Sequence, residues 1–288
     1  MTDDNKNKEE ASYEIREYHT RSSGIFLKVK NFLHKSKSQY QEIEVIENEY
    51  FGKALLLDGL IQTTEKDEYF YHEMLAHPAL ITHPFPQNIL VIGGGDGGLL
   101  KEVLPYSIKY ACLVEIDREV IEVSQKYFPW LKPCLRDQRT ELIFSDGREF
   151  IEKTTKKFDI VFIDSSDPVG PSANLHESDF YEKIKKCLSP GGIVVAQVGS
   201  PFYKAESIYE KNDFLMKLFK MVCFYVSPVP TYPGGYWCFV FLSDEIKPFD
   251  IKRNPPKELK YFNLHIHRAA FSLPNFLRDK LESQDLLD

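Results

Sequence analysis

From Asn88 onward, short apolar runs are separated by stretches whose apolar residues recur at helical spacing, and this alternation constrains the chain more than any other feature. It predicts strand 88–92, helix 97–104, strand 110–115, helix 118–127, strand 140–144, helix 147–154 and strand 158–163. Helix 178–187, strand 191–197, helix 205–220 and late strands near 222–228 and 236–242 follow. Strands joined through helices pair in parallel, so the chain is expected to be an α/β protein with a mostly parallel sheet covered by helices on both faces. The last two strands, linked by a turn over residues 230–235, should form an antiparallel edge.

The segment before this alternation reads differently. Between Gly24 and Thr64 the apolar residues come as short β-compatible runs, Ile25-Phe26-Leu27, Ile43 to Ile46 and Ala54 to Leu57, broken by Lys/Ser-rich and Asp-Gly turns. A small antiparallel β-domain is expected there. Asp67 is placed to cap a connecting helix from Glu68 to Ala76, which Pro78 is expected to limit. The division is therefore a disordered tail over 1–10, a β-domain over 11–66 and a larger domain over 67–288. No internal repeat is evident.

Ligands of open α/β sheets bind at the carboxyl ends of strands. Two apolar strands end there in unusual loops: Ile89-Leu90-Val91-Ile92 runs into G-G-G-D-G-G at Gly93 to Gly98, and Ile160-Val161-Phe162-Ile163 runs into D-S-S-D-P-V-G-P from Asp164 to Pro171. Gly93, Gly95 and Gly98 satisfy G-x-G-x-x-G, which lets a backbone approach a ligand closely. Glu115, about 20 residues further on, suits ribose hydroxyls. A tight strand–helix turn followed by a capping Asp117 is the plainer explanation, and the two signals together favour a nucleoside site over it. Asp96 inside the loop would repel a pyrophosphate. An adenosyl sulfonium, with no phosphate, fits better. Asp146, next to Gly147, is placed for the adenine amino group, and equally to cap helix 147–154.

Asp164 and Asp167 narrow the cofactor further. Two carboxylates beside the methionine carboxylate of S-adenosylmethionine would be electrostatically unfavourable, whereas a ligand ending in an amine suits them. Decarboxylated S-adenosylmethionine ends in an aminopropyl group, and its attacking partner would be a cationic diamine. A plain Asp-rich turn is the competing explanation, and adjacency to the glycine loop argues against it.

These stretches resemble the spermidine synthases and the wider polyamine aminopropyltransferase family. The resemblance runs from about Glu17 to Leu277 and is carried by Tyr40-Gln41-Glu42, L-D-G-L-I-Q-T-T-E-K-D-E from Leu57, Y-H-E-M from Tyr71, G-G-G-D-G-G, Val114 to Asp117, D-S-S-D-P-V-G-P, T-Y-P-G-G from Thr231 and H-R-A-A-F-x-L-P from His267. It implies a Rossmann-like sheet of the methyltransferase type and transfer of an aminopropyl group from decarboxylated S-adenosylmethionine to a diamine, with putrescine giving spermidine and 5'-methylthioadenosine. It further implies that Gln41, Gly93, Gly95, Asp96, Glu115, Asp146, Gly147 and Pro171 hold the sulfonium co-substrate and that Asp164 is the general base. Tyr71 would flank the attacking nitrogen with Asp164, and Asp167, Gln62, His72, Gln197 and Tyr232 would line the diamine channel. Read alone, Gln62 is an exposed strand residue, His72 a core-facing helix residue and Tyr232 a turn aromatic. Family members often carry a tryptophan near the amine channel, whereas Ser12 to Thr20 holds Tyr13, Tyr18 and His19 instead. The segment 168–177, with Pro168, Gly170 and Pro171, is expected to act as a lid. A homodimer or homotetramer is implied.

Charge and cysteine usage agree with that assignment. With 36 Lys plus Arg against 43 Asp plus Glu, the net charge of -7 gives no attraction to nucleic acid or an anionic membrane and favours a polycationic partner. Five scattered cysteines show no metal spacing and suggest reduced thiols. No secretion signal or membrane-length apolar run is present, so a cytoplasmic protein with no metal or prosthetic group is expected. Two other activities remain open from the residues alone: methyl transfer from ordinary S-adenosylmethionine, and non-catalytic polyamine binding.

Overall fold

A computed structural model describes residues 13–165 and 177–281. The expected tail over 1–10 lies outside the described residues, as do Asp167, Pro171 and all of the expected lid except Glu177. Strands β1 (Glu14–Tyr18) and β2 (Gly24–Lys28) form an antiparallel hairpin. Strands β3 (Asn31–Lys37), β4 (Glu42–Asn48), β5 (Gly52–Leu57) and β6 (Leu60–Thr64) follow as a four-stranded antiparallel sheet in sequence order. The apolar run of β4 reads as continuous because both of its faces are covered. Ile43 and Val45 pack with Val120, Val123 and Phe128 of the larger domain, while Ile46 packs with Ala54, Leu56 and Leu27 of the hairpin.

Helix α1 (Glu68–Thr82) runs on through Pro78, contrary to the expected stop. A proline in a helix interior removes the hydrogen bond to the carbonyl four residues earlier. Here that carbonyl, on Met74, accepts instead from the Tyr225 hydroxyl at 2.9 Å. Thirteen of the fifteen residues of α1 are buried, so packing outweighs the local penalty. Asp67 stands at the N-cap position but accepts from no N–H of the helix through its side chain: its carboxylate accepts from Thr64 Oγ1 at 2.6 Å and from the backbone N–H and hydroxyl of Thr231 at 3.0 and 2.8 Å. It fastens the turn before residue 236 to the start of α1.

The larger domain continues as β7 (Asn88–Gly93), α2 (Gly98–Val103), β8 (Tyr110–Glu115), α3 (Arg118–Tyr127), α4 (Leu131–Arg136), β9 (Thr140–Phe144), α5 (Gly147–Lys153) and β10 (Phe158–Asp164). After the undescribed loop come α6 (Ser178–Cys187), β11 (Leu188–Gly199), α7 (Ala205–Leu218), β12 (Met221–Pro228), β13 (Tyr236–Ser243), α8 (Leu264–Ala270) and α9 (Asn275–Arg278). The sheet order is β12-β13-β11-β10-β7-β8-β9. Only β13 is antiparallel to its neighbours, inserted between β12 and β11. This is the expected Rossmann-like arrangement, and strict alternation along β7 divides it: Ile89 and Val91 face one core with α1 and α2, Leu90 and Ile92 the other with α6 and α7.

The chain leaves β7 toward β8 on one side and returns to β10 on the other. The crevice where the order reverses is where such sheets take their ligands. Asp164 pairs in register with Gly93 at that point.

Candidate active site

The glycine loop and the acidic turn touch directly. The Gly94 N–H donates to the Asp164 carbonyl at 2.8 Å. Gly93 has φ of 80°, and a Cβ there would lie 2.3 Å from that same carbonyl oxygen. The glycines therefore admit neighbouring protein as much as ligand. A Cβ on Gly95 would lie 2.8 Å from a Glu115 carboxylate oxygen, and one on Gly98 only 2.1 Å from the His72 ring. The conformational freedom expected for close ligand approach is spent, at Gly98, on a histidine of α1.

One cavity opens above this junction, lined by residues of both domains. Asp164 closes β10, and its Oδ1 accepts from the Tyr71 hydroxyl at 2.6 Å. Its side chain keeps an opening onto the cavity, yet loss of water contact pushes its pKa up to about 6, against the opposing charge of His72. Glu115, at the end of β8, is pushed up to about 7, again chiefly by burial, although its Oε1 accepts from the Asp117 N–H at 2.9 Å. Both groups titrate closer to neutrality than an ordinary carboxylate, and a cation entering the cavity would favour their charged forms. Asp146 caps α5, accepting from the N–H groups of Arg148 and Glu149 at 2.7 and 3.1 Å, and it lines the cavity beside Gly147. The expected capping role is met, and the same residue borders the cavity.

Asp96 and His72 form a buried pair, with Asp96 Oδ2 3.3 Å from His72 Nε2. The other ring nitrogen lies 2.9 Å from Glu68 Oε2. Burial works against a charge on the ring, but Asp96 and then Glu68 outweigh it and hold its pKa well above the usual histidine range. Donor atoms of His72, Asp96 and Asp164 all lie within 4.8 Å of one another, a spacing a metal ion would accept. The carboxylates of Asp96 and Asp164 make this corner of the cavity acidic, which suits a cation.

Gln41 reaches the cavity from the β-domain and donates from Nε2 to Asp117 Oδ2 at 3.0 Å. Asp117 also caps α3 through the Glu119 N–H at 3.0 Å and accepts from the Ser38 hydroxyl at 2.6 Å. The plain capping role expected for it is real, and it also fixes Gln41. Tyr232 donates its hydroxyl to the Gln62 carbonyl, so turn and strand are tied where both line the cavity. Gln197 donates from Nε2 to the Ser165 carbonyl at 2.7 Å, while its buried Oε1 has no partner among the described residues. That oxygen is an acceptor awaiting a donor. Every expected site residue within the described chain lines this one cavity.

Glu17 also belongs to the site, unannounced by its sequence. It is 6 % exposed, lines the cavity, accepts from the Ile61 N–H at 2.8 Å and lies 3.5 Å from the His19 ring. It sits in a strand, E-I-R-E-Y, that shows no apolar alternation, so nothing in the pattern marks it as inward. A buried carboxylate among charged neighbours is legible only once the fold is known.

Comparison with known proteins places this geometry. The family pattern described as the spermine/spermidine synthase domain matches residues 68–253, and the spermidine synthase tetramerisation domain matches residues 14–65. The chain is 40% identical to the polyamine aminopropyltransferase of Caldicellulosiruptor saccharolyticus over 269 residues, 92% of this chain and 97% of that one. It is equally 40% identical to the polyamine aminopropyltransferase of Methanocaldococcus jannaschii over 275 residues, 92% and 94% of the two chains. Among solved structures, the spermidine synthase of Thermotoga maritima superposes with a TM-score of 0.89 at 37% identity over 94% of this chain and 95% of that one. A spermidine synthase in complex with the transition state analogue AdoDATO gives 0.90, with the same identity and coverage.

Proposed function

Because the chain belongs to the spermine/spermidine synthase family, and is therefore an aminopropyltransferase with decarboxylated S-adenosylmethionine as co-substrate, we propose that its acceptor is putrescine and its product spermidine. The solved neighbours being spermidine synthases supports this choice. Methyl transfer and non-catalytic polyamine binding have no comparable support.

Asp164 is the general base, and the observation that carries this role is its 2.6 Å hydrogen bond from Tyr71 beside the glycine loop. An alkylamine has a pKa of about 10.4, so at pH 7 only about one molecule in a few thousand is free to attack. Asp164 takes one proton from the acceptor's ammonium, and Tyr71 holds the carboxylate in place. The nitrogen then attacks the propyl carbon bonded to sulfur. The C–S bond breaks with its electron pair leaving on sulfur, and neutral 5'-methylthioadenosine departs, so the leaving group needs no acid. One proton is released per turnover. Alignment of the two reactants contributes roughly 7–11 kcal/mol.

Gln41, Gly93, Gly95, Asp96, Glu115, Asp146 and Gly147 hold the co-substrate in this scheme, and Gln62, His72, Gln197 and Tyr232 border the acceptor. The free Oε1 of Gln197 accepts from an ammonium. Glu17 and Asp164 line the same cavity, offering a carboxylate for each end of a diamine.

The assembly is an oligomer formed through the β-domain, as the matched tetramerisation domain suggests, and we place its boundary between residues 66 and 67. Exposed Tyr13, Tyr18, Phe26 and Phe32 are the surface that supports such an interface. A cytoplasmic location is supported by five free cysteines. Among the described residues no helix is long and apolar enough to cross a membrane.

The experiment is an acceptor panel of putrescine, cadaverine, agmatine and spermidine with the decarboxylated co-substrate, following 5'-methylthioadenosine by mass spectrometry. Putrescine should give the highest kcat/KM. A higher value for any other amine overturns the assignment.

A further inference from the structure

The ion pair of His72 does not end at Glu68. Glu68 Oε1 accepts from Lys101 Nζ at 2.7 Å, Lys101 Nζ lies 3.1 Å from Glu102 Oε1, and Glu102 Oε2 lies 3.2 Å from His77 Nε2. His77 Nδ1 then meets the Tyr106 hydroxyl at 2.9 Å. A buried chain of alternating charge therefore runs from Asp96, in the glycine loop, through His72 and Glu68 of α1 to Lys101 and Glu102 of α2, with His77 packed against its far end. Apart from Lys101, whose side chain is 29% exposed, its members are almost wholly enclosed.

Such a chain is costly to bury and is not needed to fold a helix pair, since apolar residues would serve. Its members act on one another's charge. Burial alone would keep Glu68 and Asp96 neutral, but His72, with Lys101 behind it, holds both below the usual carboxylate range. Lys101 is in turn held charged, against burial, by Glu68 and Glu102. Asp96 itself has few constraints besides His72: Oδ1 accepts from the Gly98 N–H at 3.0 Å, and Oδ2 faces the ring.

We propose that Glu68 and Lys101 are positioning residues, acting through His72 to hold Asp96 ionised and correctly aimed at the aminopropyl ammonium of the co-substrate. This rests on the assignment of Asp96 to the co-substrate made above. Neither residue touches the cavity. Glu68 accepts from Nδ1–H, which orients the ring and keeps it an imidazolium with Nε2–H turned to Asp96, and Lys101 keeps Glu68 anionic so that it can do so. The groups facing His72 are Glu68 on its own helix, Asp96 in the glycine loop, Asp164 at the end of β10 and the Tyr71 ring.

The test compares Glu68→Gln, Lys101→Met, Lys101→Arg and Asp96→Asn in the full-length enzyme. Affinity is measured by calorimetry for decarboxylated S-adenosylmethionine and for 5'-methylthioadenosine, which lacks the aminopropyl group, and the His72 ring is followed by NMR from pH 5.5 to 9. Glu68→Gln should weaken the sulfonium ligand about tenfold or more, the scale of one hydrogen bond to a charged group, while 5'-methylthioadenosine binds as to wild type. His72 should stay an imidazolium across the range in wild type and lose its proton within it in Glu68→Gln. Lys101→Met should move both readouts in the same direction, and Lys101→Arg should restore them. Wild-type sulfonium affinity and an unshifted His72 in Glu68→Gln and Lys101→Met would overturn the proposal, as would equal weakening of both ligands. If Asp96→Asn weakens the sulfonium ligand and the other two do not, the positioning role fails and the Asp96 assignment stands. If Asp96→Asn binds it normally, that assignment fails and the proposal with it.

Discussion

Asp164 illustrates how a single carboxylate is tuned by its surroundings. Burial raises its pKa to about 6, so the proposed base is discharged below that pH and charged above it. The log of kcat/KM should therefore rise with unit slope up to about pH 6 and bend there, a profile checked by initial rates at fixed ionic strength. Asp164→Asn should cut turnover by about 10²–10⁴-fold without lowering the melting temperature, because the raised pKa means that the charged form destabilises the fold at neutral pH. A loss under tenfold would remove the base assignment. Glu115, raised to about 7, shares this property. A bound cation pulls both values back down. Binding of the sulfonium near pH 6 should then expel protons, read as buffer-dependent enthalpies in calorimetry, with a smaller release for neutral 5'-methylthioadenosine. At this scale the sequence was informative about chemistry and silent about wiring. The acidic turn and the glycine loop announce themselves by residue type, whereas the links from Glu17 to Ile61 and from Lys101 to Glu68 span 44 and 33 positions.

Helix α1 carries the clearest disagreement between pattern and structure. Proline rules predict a stop at Pro78, and the helix continues because the Tyr225 hydroxyl supplies what the ring cannot. Tyr225→Phe should leave the Met74 carbonyl buried without a donor and cost about 1–3 kcal/mol, measured by denaturant unfolding; an unchanged midpoint would mean that the carbonyl is satisfied otherwise. The end of the helix is held similarly, by Arg253, whose guanidinium donates to the carbonyls of Leu80, His83 and Pro84. Both partners come from far along the chain, which is why local rules miss them. The parallel sheet was legible because its inner strands β7, β8, β10 and β11 are covered on two sides and read as apolar runs. Strands β1 and β3 were not, since half-exposed edges such as N-F-L-H-K-S-K carry little apolar signal. Short helices α4, α8 and α9 have too few turns to show a period.

At the level of the whole molecule, the two domains share a core. Ile43, Val45 and Leu55 from one pack with Val120, Val123 and Phe128 from the other, and Tyr127 donates its hydroxyl to the Leu33 carbonyl at 2.6 Å. Heating should therefore give one calorimetric transition, and two resolved transitions would show that this seam is weak. The seam also divides labour. Asp164 and the glycine loop belong to the sheet-and-helix half, while Glu17, Leu60, Ile61 and Gln62 enter the cavity from the small half. A lineage can thus reshape one wall of the pocket by editing residues 14–65, leaving Asp164 and the glycine loop untouched.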